Sequence, residues 1–180
     1  MFNFLFRLKR QQLANKRRFV LPQILNLSAI NRSIKVIYFY KNENKIKIEY
    51  DKNEIRLYGN TNDHKLVQIT LDKFLKQLAK EHFTPILEQA AKELGVSFNR
   101  LSIRGQKTRW GSCSSKGNIN LNFKLLFVSP EQMNYVIYHE LVHLLHFNHS
   151  KLFWNTLANY IPDAKKIAYQ MRRIRLDSLY

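Results

Sequence analysis

The chain has 180 residues, of which 45% are hydrophobic and 24% are charged, and this composition excludes a disordered tail. Its single cysteine, Cys113, excludes a disulfide framework and so gives no sign of an oxidising compartment. The 30 Lys and Arg residues outnumber the 13 Asp and Glu residues and give a formal net charge of +17. Such an excess attracts polyanions, which include nucleic acid, anionic membrane surfaces and acidic substrates.

No segment of the sequence predicts a membrane span. The longest candidate, residues 19–30, is short and is interrupted by Pro22, Gln23 and Asn26, whereas a spanning helix needs about 20 apolar residues. At the start of the chain the apolar residues precede the basic ones, which is the reverse of a secretory signal. We therefore expect a cytoplasmic protein.

The first 70 residues divide into two parts by charge and periodicity. Residues 1–28 lack Asp and Glu and carry six basic residues between positions 7 and 18, so we predict a basic N-terminal extension suited to contact with phosphates. Residues 29–70 predict a small β-rich part, with a mostly antiparallel sheet that has one solvent-exposed face. The expected strands cover residues 34–40, 45–50, 55–58 and 65–69.

Helical spacing begins at Leu71, beyond which apolar residues recur every three or four positions. Pro85 interrupts this pattern, either because Thr84 caps a second helix or because one helix kinks there. Gly95 is placed to end the helical stretch. Beyond it we predict a strand over residues 96–104, a loop that carries the segment GQKTRWGSCSSKGN, and a second strand through INLNF.

Capping signals predict the remaining helices. The segment Ser-Pro-Glu-Gln at residues 129–132 is a capping-box-like start, and the helix is expected to run to about Phe147. Ser150 can cap a helix over residues 151–160, and the Pro-Asp pair at 162–163 opens a last, basic helix.

The first of these helices carries the sequence HELVH, an HExxH motif, at positions 139–143. His139 and His143 are four residues apart, so they lie on one helix face, about 6 Å apart along the axis. Two imidazoles at this spacing can converge on one zinc ion, which takes nitrogen ligands in a tetrahedral shell. Glu140 then reaches the remaining position, where it can act as general base towards a zinc-activated water.

The residues that follow the motif supply a candidate third ligand. His146 shares the helix face but lies about 10.5 Å along the axis from His139, too far for one ion that His143 also binds. His149 follows Asn148, a residue that tolerates the left-handed conformation and can end a helix. A chain that turns there brings His149 back to the metal, so we favour His149 over His146.

The region from Lys107 to Trp154 resembles the YgjP-like metallopeptidases, which are relatives of the SprT-like proteases. The matching segments are TRWGSCS at 108–114, LN at 121–122, YVIYHELVH at 135–143 and NHSKLFW at 148–154. The resemblance implies one zinc ion bound by His139, His143 and His149. It also implies that Glu140 is the catalytic residue.

Contacts to the substrate are predicted around the RWGSCS loop. Arg109 is expected to steady an oxyanion or to contact the substrate backbone, with a salt bridge to a helix end as the alternative. Gly111 is expected to allow close approach of the backbone. Zincin-type enzymes pair an extended peptide with a strand edge beside the metal helix, and the strand at 118–122 is the candidate here. The predicted contacts on it are Asn118, Asn120 and Asn122.

Together these patterns predict an α+β, zincin-like metallopeptidase, with a small, mostly antiparallel sheet packed with a helical core that carries HExxH. Residues 71–180 form the catalytic part, in which Phe153 and Trp154 pack beneath the site. The favoured activity is peptide-bond hydrolysis with one Zn²⁺ ion and a polypeptide substrate. Two alternatives are hydrolysis of nucleoside triphosphates at the same metal and a nucleic-acid-associated protease that acts on DNA-bound protein, and the basic charge favours both.

Overall fold

A four-stranded sheet forms the N-terminal part of the fold. The computed structural model describes residues 20–176, in which this sheet consists of β1 (Ile24–Leu27), β2 (Arg32–Tyr40), β3 (Ile46–Tyr50) and β4 (Glu54–Gly59). The strand order is β1-β2-β4-β3, with β2 and β4 parallel and the other two pairings antiparallel. Alternate residues face the core. The fully buried ones are Leu25, Leu27, Ile34, Ile55 and Leu57.

Strand β1 lies inside the segment that the sequence predicts as a basic extension. Leu25 and Leu27 are 1% and 0% exposed, because they belong to the same core as the rest of the sheet. The predicted boundary after residue 28 therefore follows the first strand of the sheet instead of preceding it. The basic residues at positions 7–18 lie outside the described residues.

One long helix, α1 (His64–Leu94), follows the sheet. The prediction of a strand at residues 65–69 is wrong, because those residues form the first turns of this helix. The carboxylate of Asp63 accepts hydrogen bonds at 3.0 Å from the backbone N–H groups of Lys65 and Leu66, and this cap starts the helix.

Helix α1 continues through Pro85, so Thr84 does not start a second helix. The Thr84 hydroxyl donates a hydrogen bond of 2.6 Å to the carbonyl oxygen of Lys80, one turn earlier. Proline has no N–H group for the helical ladder, and α1 tolerates this loss within its 31 residues. Gly95 ends the helix with a φ of 66°, which confirms the predicted left-handed stop.

A second, three-stranded sheet lies next to the predicted metal helix. It consists of β5 (Arg100–Arg104), β6 (Gly111–Cys113) and β7 (Asn118–Asn122) in the order β5-β7-β6. β7 is parallel to β5 and antiparallel to β6. The strand predicted from residue 96 begins at Arg100, and β6 lies in the segment predicted as a loop, because three residues are too few to show a period.

The predicted α+β class is confirmed, and the strands form two mixed sheets instead of one mostly antiparallel sheet. Alternation of polar and apolar residues indicates which face of a strand is buried, but it does not indicate the direction of the neighbouring strand. Each sheet contains one parallel pairing that the sequence pattern could not reveal.

The described chain ends in α2 (Pro130–Val142), α3 (Lys151–Tyr160) and α4 (Ala164–Arg173). The predicted capping box is confirmed: Ser129 Oγ accepts from the N–H of Gln132 at 3.2 Å, and Gln132 Oε1 accepts from the N–H of Ser129 at 3.1 Å. Helix α2 ends several residues earlier than predicted.

One hydrophobic core joins the first sheet, α1, β7 and the three C-terminal helices. The predicted β-rich and catalytic parts therefore share a core. Among the helices of residues 20–176, none combines the length and the apolar character that a membrane crossing requires.

Candidate metal centre

Three histidines converge at the C-terminal end of α2. His139 and His143 lie on one face of the helix with their ring centroids 4.9 Å apart, and His149 approaches both rings from the following loop, at 4.9 and 4.8 Å. One ligand nitrogen from each ring lies within 4.8 Å of the others. Two nitrogens bound to a tetrahedral zinc ion lie about 3.3 Å apart. Nε2 of His139 and Nε2 of His149 are 3.1 Å apart, which is close to this separation.

In His139 and His143, the ring nitrogen Nδ1 has a hydrogen-bond partner within the protein. Nδ1 of His143 lies 3.1 Å from the carbonyl oxygen of His146, so it carries the proton and leaves Nε2 free to bind a metal. Nδ1 of His139 lies 3.2 Å from the hydroxyl of Tyr135. Tyr135 is not among the predicted site residues, although its position one turn before His139 on the same helix face is a usable signal.

The chain between α2 and α3 brings His149 to the other two histidines. The N–H groups of Leu145 and His146 both donate to the carbonyl oxygen of Val142, at 3.0 and 2.9 Å, and close the helix with a tight turn. Asn148 then accepts a hydrogen bond on Oδ1 from the N–H of Ser150 at 3.2 Å. Asn148 thus turns the chain through its side chain and not through the left-handed backbone expected from the sequence.

His146 points away from the cluster. Its Nε2 lies 3.1 Å from Oγ1 of Thr156 on α3. The structure therefore brings together His139, His143 and His149, and it leaves the alternative candidate outside the group.

The ring of Phe153 packs against all three imidazoles. It is 0% exposed, and its ring centroid lies 4.7 to 4.9 Å from the centroids of all three histidine rings. Trp154 packs beside it, 6.2 Å from the ring of His149. These contacts agree with the predicted packing beneath the site, and they fix the position of the ligand loop.

Burial keeps the α2 histidines neutral. It lowers the pKa of His139 from 6.5 to about 3, and the neighbouring rings of His143 and His149 add to the shift. Burial also lowers the pKa of His143. A neutral imidazole is the form that binds metal ions, so these two side chains are ready to act as ligands at neutral pH.

Glu140 lies beside the histidines and is 6% exposed. Burial raises the pKa of its carboxyl from 4.5 to about 8, while the positive charge of Arg109 and a hydrogen bond from the N–H of Cys113 act in the opposite direction. The carboxylate is therefore held between α2 and the backbone of β6.

Gly111 is the residue that makes room for this carboxylate. A Cβ atom added to Gly111 would lie 2.6 Å from Oε1 and 2.7 Å from Cγ of Glu140, closer than any real contact. The φ of Gly111 is not positive, so the requirement for glycine is one of space alone. The close backbone approach predicted at this position is present, and it serves Glu140.

A cavity of about 880 Å³ opens over the site. His139, Glu140 and His149 line it, and its walls come from the loop before β6, from α2, and from α4 with the residues that follow. Trp110 and Trp154 contribute aromatic surface. The cavity is large enough for a segment of a polypeptide.

Asn122 has an internal role in the structure. It is 1% exposed, and its Nδ2 donates to the carbonyl oxygens of Gln106 and Arg109 at 2.8 and 3.0 Å. Its Oδ1 accepts from the N–H of Lys124 at 3.1 Å. Both ends of this amide are therefore engaged in holding the loop that carries Arg109.

The other predicted substrate contacts lie nearer the surface. Asn120 Nδ2 donates to Ser112 Oγ at 3.2 Å across the β6–β7 pair, and Asn118 Oδ1 accepts from Asn99 Nδ2 at 3.1 Å. Arg109 is exposed and close enough to Glu140 to affect its pKa. A role in substrate binding remains a prediction for these three residues.

The strand with an open edge beside Glu140 is β6. β7 lies between β5 and β6, so the prediction that the strand at 118–122 offers a free edge is wrong. The N–H of Asn122 donates to the carbonyl oxygen of Trp110 at 2.8 Å, so Trp110 directs its backbone carbonyl towards β7. In an antiparallel pair, successive residues direct their backbone groups alternately towards the partner strand and away from it. Gly111 and Cys113 therefore direct their backbone groups away from β7.

Solved structures that are similar to part of this chain include two metallopeptidase zymogens, and a comparison with curated proteins gives no match. The metallopeptidase zymogen abylysin of Pyrococcus abyssi is 32% identical, over 48% of this chain and 89% of that one, with a TM-score of 0.44. The metallopeptidase zymogen jannalysin of Methanocaldococcus jannaschii is 26% identical, over 48% and 90%, with a TM-score of 0.43.

A family model gives a match over nearly the whole chain. The model describes the YgjP-like metallopeptidase domain and matches residues 5–174. The match includes the strands of the first sheet and most of the segment predicted as an extension. The resemblance inferred from the motifs is confirmed, and this chain belongs to the YgjP-like metallopeptidase family.

Proposed function

We propose that this protein is a zinc-dependent peptidase with one zinc ion bound by His139, His143 and His149, and with Glu140 as general base. The proposal rests on the convergence of three imidazole nitrogens beside the buried carboxyl group of Glu140, at one side of an open cavity. Membership of a metallopeptidase family supports cleavage of peptide bonds.

Zinc in such a site supplies Lewis acidity and lowers the pKa of water. The protein supplies the base. Glu140 takes a proton from the attacking water and passes it to the departing amine nitrogen. The N–H of Cys113 holds the carboxylate in place during this exchange.

We propose β6 as the strand that receives the substrate. The outward backbone groups of Gly111 and the carbonyl of Cys113 can pair with an extended polypeptide, as an added strand. This arrangement would place a peptide bond close to Glu140, because the same strand donates to its carboxylate. Arg109, on the loop before β6, is proposed to contact the substrate backbone.

Digestion of an unstructured protein tests the proposal. Casein is incubated with protein that has been stripped by a chelator and with the same protein after zinc is restored, and mass spectrometry identifies the products. We expect new peptides only with zinc. Intact casein in the presence of one bound zinc per chain would contradict the proposal. Release of pyrophosphate or phosphate from a nucleoside triphosphate in the same samples would favour the alternative of a nucleotide pyrophosphohydrolase.

A further inference from the structure

The cavity beside the metal centre has basic walls. Lys107 lies on the loop before β6, while Arg172 and Arg175 lie at the end of α4 and just beyond it, so positive charge faces the cavity from two sides. Among the described residues that line the cavity, Glu140 carries the only carboxyl group, and that group is buried. The cavity is therefore positively charged around its opening.

Two of these cations have no ion pair with a carboxylate of the described residues. Within residues 20–176, the ion pairs of Lys47 with Glu49 and of Arg56 with Asp51 and Glu54 lie on the first sheet or its loops. Neither Lys107 nor Arg172 has an ion pair in this part of the chain. Cations that line one cavity attract a negatively charged ligand into it.

Arg172 lies close to the reacting groups. It follows Met171 and stands one turn after Ala168, and both of these residues also line the cavity. Tyr135 lines the same cavity as Arg172. The hydroxyl of Tyr135 is in turn 3.2 Å from His139.

The cavity also has apolar walls. Trp110, Trp154 and Ile174 line the cavity together with the cations. Walls of low polarity reduce the screening by water, so the field of the cations acts more strongly inside the cavity than on an open surface. Such a surface suits a polypeptide that combines apolar side chains with carboxylates.

We propose that the cleft selects polypeptide segments that carry Asp or Glu next to the cleaved bond, with Lys107 and Arg172 as the residues that receive those carboxylates. The inference rests on the proposed peptidase function and adds its substrate class. It also assigns the basic character of this region to recognition of the substrate.

Paired peptides test the inference. Cleavage sites found in casein supply peptides in which an acidic residue beside the bond is kept or is replaced by its amide. We expect the acidic member to have a kcat/KM higher by about fivefold for each carboxylate, and to lose this advantage as salt is added. Lys107→Gln and Arg172→Gln should each lower the ratio of kcat/KM between the acidic peptide and its amide partner. Lys65→Gln, which removes the same charge from the exposed start of α1, should not.

A binding measurement separates the two proposals. The Glu140→Gln protein with zinc restored should hold labelled acidic peptides more tightly than their amide partners, even without turnover. Equal cleavage and equal binding of both members would overturn the acidic preference and leave the peptidase standing. Absence of cleavage in every pair would overturn the peptidase and this inference with it. Displacement of the peptide by a nucleoside triphosphate at much lower concentrations than by a second acidic peptide would assign the cations to phosphate instead.

Discussion

The substitution Gly111→Ala tests how tightly the backbone of β6 confines the general base. The new Cβ atom would lie 2.6 Å from Oε1 and 2.9 Å from Cδ of Glu140, whereas ordinary contact begins at 3.4 Å, so the carboxylate must move by about 0.8 Å. Glu140 is 6% exposed and has little room to move without losing its hydrogen bond from Cys113.

This displacement sets the size of the expected effect. A shift of about 1 Å in a reacting group can lower the rate about 100-fold. The overpacked site should also lose about 1–3 kcal/mol of stability. Zinc binding should change little, because none of the three histidines is among the nearest neighbours of the added atom.

Gly105→Ala is the matched control for this experiment. Its Cβ would lie 2.8 Å from the ring of Phe123, so it overpacks a buried aromatic residue but not the carboxylate. Both variants are compared by kcat on one peptide, by zinc content and by urea unfolding. We expect similar losses of stability and a large loss of kcat only for Gly111→Ala. A Gly111→Ala enzyme with the kcat of the wild type would refute the assignment of this glycine to Glu140.

Three further substitutions probe the supports of the site. His149→Ala should weaken zinc binding by at least about 100-fold, and His146→Ala should not, because the backbone carbonyl of His146 and not its side chain contacts the cluster; a chelator titration ranks them, and the reverse order would contradict the ligand choice. Asn122→Ala should cost about 3 kcal/mol in urea unfolding, since two carbonyl oxygens lose their donor; a neutral effect would show that the loop does not depend on this amide. Phe153→Ala should lower the free energy of unfolding by about 3–5 kcal/mol and also lower zinc affinity, since all three imidazoles lose the ring that they pack against. Unchanged zinc affinity would show that Phe153 does not position the histidines.

The helix that carries the motif was predictable because its signals are local. The capping box at Ser129 and the spacing of His139 and His143 depend only on residues within a few turns of one another. The approach of His149 was also predicted, although by another means than the one observed. The distance argument against His146 assumed that the helix continues to that residue, but α2 ends at Val142. His146 lies outside the group because its ring contacts Thr156 on α3.

At the start of α1, a strand-like pattern of apolar residues is overridden by a helix cap and by helical spacing of buried residues. Residues 65–69 contain apolar side chains at a spacing that also fits a short strand. The cap at Asp63 and the buried series Val67, Leu71 and Leu75, at intervals of four, decide for a helix. Recognition of Asp63 as an N-cap would have corrected the prediction.

The arrangement around Glu140 could not be predicted from local patterns. The position of β6 at the sheet edge depends on pairings between residues far apart in the chain, and its three residues carry no periodicity. The contact of Gly111 with Glu140 joins positions 29 residues apart in the sequence, 111 and 140. Cys113 contributes through its backbone, which no residue type reveals.

The most direct test of the central claim uses Glu140→Gln. Zinc content and casein cleavage are measured on the same samples of this variant and of the wild type. We expect one zinc per chain in both proteins, chelator-sensitive cleavage by the wild type and no cleavage by the variant. Cleavage by the zinc-loaded variant at the rate of the wild type would contradict this expectation.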